Sequence, residues 1–140
     1  MNNLDYAGDV NPEKAWDLLK SKDTYLIDCR TSAEWNFVGV PDLSSLSKDV
    51  FFIEWQTYPM MENNNSFLKE IASLNVSKDS KLIFICRSGA RSRSAAEFLT
   101  NHGYKSCYNF IEGFEGPHDS DGQRGKVSGW KYSKLPWKQG

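Results

Sequence analysis

The 140-residue sequence is poor in the residues that build disulfide frameworks, zinc sites and cysteine–histidine catalytic pairs. It contains three cysteines, Cys29, Cys86 and Cys107, and two histidines, His102 and His118. An odd number of widely spaced cysteines fits neither a disulfide framework nor a zinc site. No Cys–His pair can be assigned from the spacing, which disfavours cysteine-protease chemistry. We therefore expect no metal, no cofactor and a reducing, cytoplasmic environment.

The sequence also lacks long apolar runs and an excess of charge of either sign. No apolar stretch is long enough to span a membrane, and the first five residues lack the basic and apolar regions of a signal peptide. The net charge of -1 gives no general attraction to nucleic acid or to an anionic membrane. Aromatic residues make up 14% of the chain and predict a packed fold rather than disorder. The length predicts a single domain over residues 1–140 and leaves the oligomeric state open.

Residues 81–99 predict a buried strand, a tight loop and a helix, and the rest of the chain is organised around them. Residues 82–85 are continuously apolar, as in a strand that is covered on both faces. Gly89 permits a turn that other residues resist, and helix-forming residues follow it. Cys86 therefore lies where a strand ends and a helix begins. Ligands of open α/β sheets bind at such positions, and backbone N–H groups there favour an anion.

The residues around Cys86 suggest a reactive thiol. Helix N-termini and nearby cations lower the pKa of thiols in general, and Arg87, Arg91 and Arg93 follow Cys86 closely. The pattern predicts a stabilised thiolate that acts as a nucleophile. The alternative is a structural cysteine that is buried at a strand end. The glycine turn and the arginines favour the nucleophile.

The sequence Cys-Arg-Ser-Gly-Ala-Arg-Ser over residues 86–92 resembles the active-site loop of rhodanese-type sulfurtransferases. In that family the cysteine carries sulfur as a persulfide. Four residues separate Cys86 from Arg91, whereas related cysteine phosphatases place one residue more there and wrap a tetrahedral phosphate. The resemblance covers almost the whole chain. It implies the rhodanese α/β fold, a five-stranded, mostly parallel sheet with helices on both faces.

The resemblance also implies a two-step transfer of sulfur from thiosulfate or a persulfide to cyanide, a thiol or a protein. Cys86 is then the nucleophile, and the loop that binds the small anionic donor comprises Arg87, Ser88, Gly89, Ala90, Arg91 and Ser92. We expect Arg91 to bind the anion or brace the loop, and Arg87 to meet the donor. The hydroxyls of Ser88 and Ser92 are candidates to bond the sulfur.

Two other classes of function remain open at this point. One is a cysteine phosphatase or arsenate reductase on the same fold, which the short loop disfavours. The other is a non-catalytic rhodanese module that only binds partners, which the intact Cys86 disfavours. Delivery of sulfur to an acceptor protein lies between an enzyme and an interaction module.

A second strand is predicted over residues 25–30, and its end carries Asp28 and Arg30. Glu34 follows in the next predicted helix. Rhodanese domains carry a similar Asp-x-Arg and a glutamate at these positions. We interpret the three residues as support for the loop, with an ion pair that orients the strand end, rather than as catalysts. Cys29 is predicted to be a small core residue.

The other elements follow from weaker patterns. We predict a helix from Pro12 with Asn11 as its cap, a strand over residues 49–56, a helix over 67–74 capped by Ser66, and a last strand over 105–111.

The loop at 57–65 and the C-terminal part carry the remaining expectations. Met60 and Met61 form either an exposed patch or part of the core. The polar loop at about 116–128 is a candidate to shape access to Cys86. We expect Trp130 and Trp137 to pack the C-terminus onto the body of the protein.

Overall fold

The computed structural model describes residues 5–139. Its elements are, in chain order, β1 (Gly8–Val10), α1 (Pro12–Leu19), β2 (Thr24–Asp28), α2 (Ser32–Phe37), β3 (Val40–Pro41), a 3-10 turn (Ser44–Leu46), β4 (Phe51–Phe52), β5 (Gln56–Thr57), β6 (Glu62–Asn63), α3 (Phe67–Ala72), β7 (Lys81–Ile85), α4 (Ala90–Asn101), β8 (Ser106–Phe110) and β9 (Trp137–Lys138). Within this part of the chain, no helix is long and apolar enough to cross a membrane.

Five strands form one sheet in the order β1-β8-β7-β2-β4, and every neighbouring pair is parallel. The predicted five-stranded α/β sheet is therefore confirmed. β7 lies in the middle, so the strand that leads to Cys86 is covered on both edges as well as on both faces. β1 was not predicted, because three residues are too few to show a periodic pattern.

The two faces of the sheet carry separate apolar cores. One face packs against α3 and α4 through residues such as Phe67, Ile71 and Leu99. The other packs against α1 and the C-terminal part, with Leu19 and Trp130 buried. Successive residues of β7 alternate between the two cores, as the pleat of a strand requires.

The structure shows the helix cap predicted at Asn11 and a further cap at the start of α2. The Asn11 side chain accepts the Lys14 N–H at 2.8 Å and caps α1. Thr31 and Glu34 form a reciprocal capping box at the start of α2, a type of cap that contributes about 1 kcal/mol. Ser66 occupies the cap position of α3 but makes no capping hydrogen bond with its side chain.

The strand predicted over residues 49–56 is wrong in its length. Only Phe51 and Phe52 pair with β2, while Gln56–Thr57 forms a small hairpin with Glu62–Asn63. The chain leaves the sheet because Trp55 turns inward and packs edge-on against Phe67 and Phe98.

The loop methionines are exposed, Met60 by 75% and Met61 by 39%, so of the two alternatives the exposed one is confirmed.

The C-terminal tryptophans differ in burial. Trp130 is fully buried, and its indole N–H donates to the Pro136 carbonyl at 2.7 Å. Trp137 remains partly exposed but pairs with Pro41 through β3 and β9 and contacts Phe114 edge-on. The tail is thus fixed to the segment that follows β8.

Candidate active site

Cys86 lies directly after β7 and four residues before the first residue of α4, as the sequence predicts. Gly89 occupies the cap position of α4 with φ at +113°, a conformation that side chains with a Cβ rarely adopt. This turn reverses the loop over the cysteine. Cys86 is 1% exposed, so its sulfur lies under the loop rather than at the surface.

Backbone N–H groups of the loop converge on the sulfur. Cys86 Sγ accepts the Gly89 N–H at 3.1 Å and the Ser92 N–H at 3.3 Å. The Ser92 hydroxyl lies 3.2 Å from the same sulfur. Oriented N–H groups of this kind stabilise negative charge without any bound cation. The arrangement suits a thiolate and an anion that reacts with it.

Arg91 and Glu34 hold the loop against α2. The guanidinium donates to the two carboxylate oxygens at 2.7 and 3.0 Å. Burial alone would raise the pKa of Glu34, but Arg91 and the Thr31 N–H outweigh it and lower the pKa below its ordinary value. Of the two roles expected for Arg91, the geometry therefore matches the brace, because Glu34 occupies the face of the guanidinium that could bind an anion.

Asp28 and Arg30 form the expected ion pair, which is completely buried. Arg30 Nη2 donates to Asp28 Oδ2 at 2.7 Å and to the Gly39 carbonyl at 2.8 Å. The guanidinium also stacks 4.2 Å from the centre of the Phe114 ring. The pair therefore orients the chain after β2 and supports the turn that follows β8.

The turn at residues 113–116 is hydrogen-bonded to the outer side of the loop that holds Cys86. The Phe114 N–H donates to the Cys86 carbonyl at 2.7 Å, and the N–H groups of Glu115 and Gly116 donate to the Arg87 carbonyl. A Cβ on Gly113 would lie 2.4 Å from the Arg87 carbonyl, so only glycine fits there. The polar loop at 116–128 is tied to this turn, since Arg124 donates to the Gly116 carbonyl at 2.6 Å.

The remaining loop residues divide by exposure. Arg87, Ser88 and Ala90 are exposed, and Ala90 begins α4. Ser92 contacts the Cys86 sulfur, whereas the role expected for Ser88 stays a prediction.

A polar chain that the sequence did not reveal continues from Ser92. Its hydroxyl donates to Asn109 Oδ1 at 2.5 Å, and Asn109 Nδ2 donates to Asp9 Oδ1 at 3.1 Å. Tyr6 donates to the same carboxylate at 2.7 Å, and burial together with Asp9 raises the pKa of Tyr6 to about 12. The Ser92 hydroxyl has a single proton, so Asn109 Oδ1 and the Gly89 carbonyl, 3.2 Å away, compete for it with Cys86 Sγ.

An open cavity of about 460 Å³ lies beside the loop and is lined by Arg87, Phe37, Tyr58 and Met61 among others. Phe37 is 81% exposed and Tyr58 is 62% exposed. Large exposed apolar side chains in one place indicate an interaction surface.

No group of three or more His, Cys, Asp or Glu in residues 5–139 is placed to hold a metal ion.

Comparison with known proteins agrees with this fold. A family model described as "STR4 middle domain" matches residues 8–140. The chain is 43% identical over 125 residues to an uncharacterized protein of Rickettsia conorii. The aligned region covers 89% of this chain and 91% of that protein. The crystal structure of Rv0390 from M. tuberculosis has a TM-score of 0.88 and 46% identity over 96% of this chain and 99% of that one. The thiosulfate sulfurtransferase GlpE of Actinobacillus succinogenes is 29% identical over 77% of this chain and 81% of its own length. The chain therefore belongs to the STR4 middle-domain family and is a rhodanese-like domain protein.

Proposed function

We propose that this protein is a sulfurtransferase that carries sulfane sulfur as a persulfide on Cys86. The observation that carries the proposal is the convergence of the Gly89 and Ser92 N–H groups on Cys86 Sγ. These donors stabilise the attacking thiolate and then the charge on the persulfide. The similarity to a thiosulfate sulfurtransferase supports the same chemistry.

The reaction runs in two displacements at sulfur. The Cys86 thiolate attacks the outer sulfur of thiosulfate or of a persulfide. The sulfur–sulfur bond of the donor breaks, and sulfite or a thiolate leaves with the bonding electrons. Cyanide, a thiol or a protein thiol then attacks the outer sulfur on Cys86, and the Cys86 thiolate leaves again. The cycle balances without a cofactor or metal.

Two arginines of the loop, Arg91 and Arg87, have different roles. Arg91 is engaged by Glu34 and keeps the loop in place. Arg87 is exposed at the rim, where it can attract an anionic donor. The loop is short and the sulfur is buried. Both features favour a slim sulfur donor, whose outer sulfur can reach Cys86, and disfavour a phosphate ester as the substrate.

The surface formed by Phe37, Tyr58 and Met61 suits a sulfur-acceptor protein. It borders the cavity that also contains Arg87. An acceptor segment with apolar neighbours around its thiol would bury these side chains, and Arg87 would meet the thiolate or an acidic neighbour.

The three free cysteines fit a reducing compartment such as the cytoplasm.

Intact mass after brief exposure to thiosulfate tests the proposal. The wild-type protein should gain one sulfur atom, and cyanide should remove it. Cys86→Ser should gain none, whereas Cys107→Ser, which removes another buried cysteine, should load like the wild type. No gain with thiosulfate or with a persulfide donor would contradict sulfur transfer, and phosphatase activity would be the next assay.

A further inference from the structure

Cys29 and Cys86 lie side by side on neighbouring parallel strands. In the β2–β7 ladder, Asp28 pairs with Ile85. The Cys29 N–H then donates to the Ile85 carbonyl at 2.9 Å, which extends the parallel ladder by one residue and sets Cys29 opposite Cys86. Neighbouring strands are about 4.8 Å apart.

The two side chains also point to the same face of the sheet. Ile27 and Phe84, one register pair earlier on this face, belong to the same apolar core as Cys29 and Cys86. The Cys29 thiol lies 3.4 Å from the Ile85 carbonyl, which belongs to the peptide bond that leads into Cys86. Disulfides join residues whose Cα atoms are about 4.4–6.8 Å apart, and the strand spacing falls in that range.

We propose that Cys29 is the resolving thiol of Cys86 and that the two close to a disulfide when a hydroperoxide oxidises Cys86. The Cys86 thiolate first attacks one peroxide oxygen. The oxygen–oxygen bond breaks, hydroxide leaves, and Cys86 becomes a sulfenic acid. Cys29 then attacks the Cys86 sulfur, and the hydroxyl leaves as water with the Cys29 proton. The two sulfurs lose two electrons in total, and the peroxide gains them.

Burial keeps Cys29 and Cys86 together inside the fold. Cys29 is 0% and Cys86 1% exposed, so Cys29 already lies on the neighbouring strand when Cys86 is oxidised. Burial first, and then the charge of Cys86, raise the pKa of Cys29 well above its ordinary value. Cys29 therefore stays neutral beside a Cys86 thiolate, and this repulsion disappears when oxidation removes the charge on Cys86. The disulfide protects Cys86 from the irreversible sulfinic and sulfonic acids.

Hydrogen peroxide in excess over the full chain, at least the three equivalents that oxidation of one thiol to a sulfonic acid consumes, tests the proposal without any sulfur donor. In the wild type, the count of free thiols should fall from three to one. Non-reducing peptide mapping should show a Cys29–Cys86 link, and dithiothreitol should restore all three thiols. Cys107 supplies the matched control, because it pairs with Leu82, four residues before Cys86 and about 13 Å away along the strand. Cys107→Ser should therefore form the same link.

Cys29→Ala should instead accumulate Cys86 with two or three added oxygen atoms, which dithiothreitol does not remove. The proposal is overturned if wild-type Cys86 reaches those acids as fast as in Cys29→Ala, or resists the peroxide. A link from Cys86 to Cys107 or to a second chain also overturns it. The wild-type map needs no variant, so a folding defect in Cys29→Ala leaves the test intact. Because no thiosulfate is used, its outcome is separate from that of the sulfur-loading assay.

Discussion

Gly113 and Gly122 have nearly the same left-handed backbone, with φ of +71° and +74°, but different surroundings. A Cβ on Gly113 would lie 2.4 Å from the Arg87 carbonyl and 2.5 Å from the Cys86 oxygen. A Cβ on Gly122 would meet nothing within 4 Å. Alanine at the two positions therefore separates backbone strain from a collision with the catalytic loop.

The strain should be similar in both variants. A side chain in the left-handed region costs roughly 1–2 kcal/mol of unfolding free energy. Gly113→Ala must also shift the loop or its turn by about 1 Å, since 2.4 Å lies that far below the onset of ordinary contact at 3.4 Å. A misplacement of about 1 Å can lower a rate about 100-fold. We expect that loss in sulfur loading for Gly113→Ala, and a loading rate like that of the wild type for Gly122→Ala.

Urea unfolding followed by tryptophan fluorescence measures the strain, and the single-turnover rate of sulfur loading from thiosulfate measures the loop. Both variants should lose stability, but only Gly113→Ala should load slowly. Equal loading rates in the two variants would refute the idea that the turn at 113–116 fixes the position of Cys86.

Three further predictions concern the surroundings of the loop. Asn109→Leu should speed the alkylation of Cys86 by iodoacetamide at neutral pH by up to about tenfold, because the freed Ser92 proton can donate to the thiolate and such a bond contributes about 1.5 kcal/mol. The same change in a Ser92→Ala background should have no effect, and an equal acceleration there would contradict this route. Glu34→Gln should lower the free energy of unfolding by roughly 1–2 kcal/mol at neutral pH. The folded pKa of Glu34 lies below its ordinary 4.5, so its contribution is present above about pH 4.5 and is lost as the pH falls through the folded pKa. Denaturant unfolding should therefore show the two proteins converge in acid, and a constant gap would count against the ion pair. Phe37→Ser should slow sulfur transfer to a cysteine peptide with apolar neighbours but leave transfer to cyanide unchanged; a parallel loss of both rates would show that the residue does not act as a docking contact.

The strand, turn and helix around Cys86 could be predicted because they are formed by one continuous segment of the sequence. A run of apolar residues, a glycine and a set of helix formers determine the strand, turn and helix around Cys86 without help from the rest of the chain. The position of Asp28 and Arg30 could also be predicted, because Asp28 ends β2, Arg30 follows it, and parallel strands end at one edge of the sheet. Their ion pair could be predicted because two oppositely charged residues that are buried side by side must pair.

The supports of the loop could not be predicted in this way, because they come from distant segments. Gly113 resembles any other turn glycine until the Arg87 carbonyl is placed against it. Asp9 lies 100 residues from its partner Asn109. The one available signal was Asn109 itself, a polar residue between Tyr108 and Phe110 near the end of β8, and it is buried. Such a residue needs a partner, and its register beside Phe84 in β7 places it near the catalytic loop.

Side chains around Cys86 hold the loop, while backbone groups face the sulfur. Arg91 forms an ion pair with Glu34, and Arg30 forms one with Asp28. Neither guanidinium can therefore move with a substrate without breaking its ion pair. The negative charge on sulfur is met mainly by N–H groups, whose positions are set by the turn and by the first turn of α4. Fixed dipoles keep their orientation when a sulfur atom is added or removed, so the same loop can serve the thiolate and the persulfide without rearrangement. A sulfur carrier needs this property, because its two displacements reverse each other at a single atom.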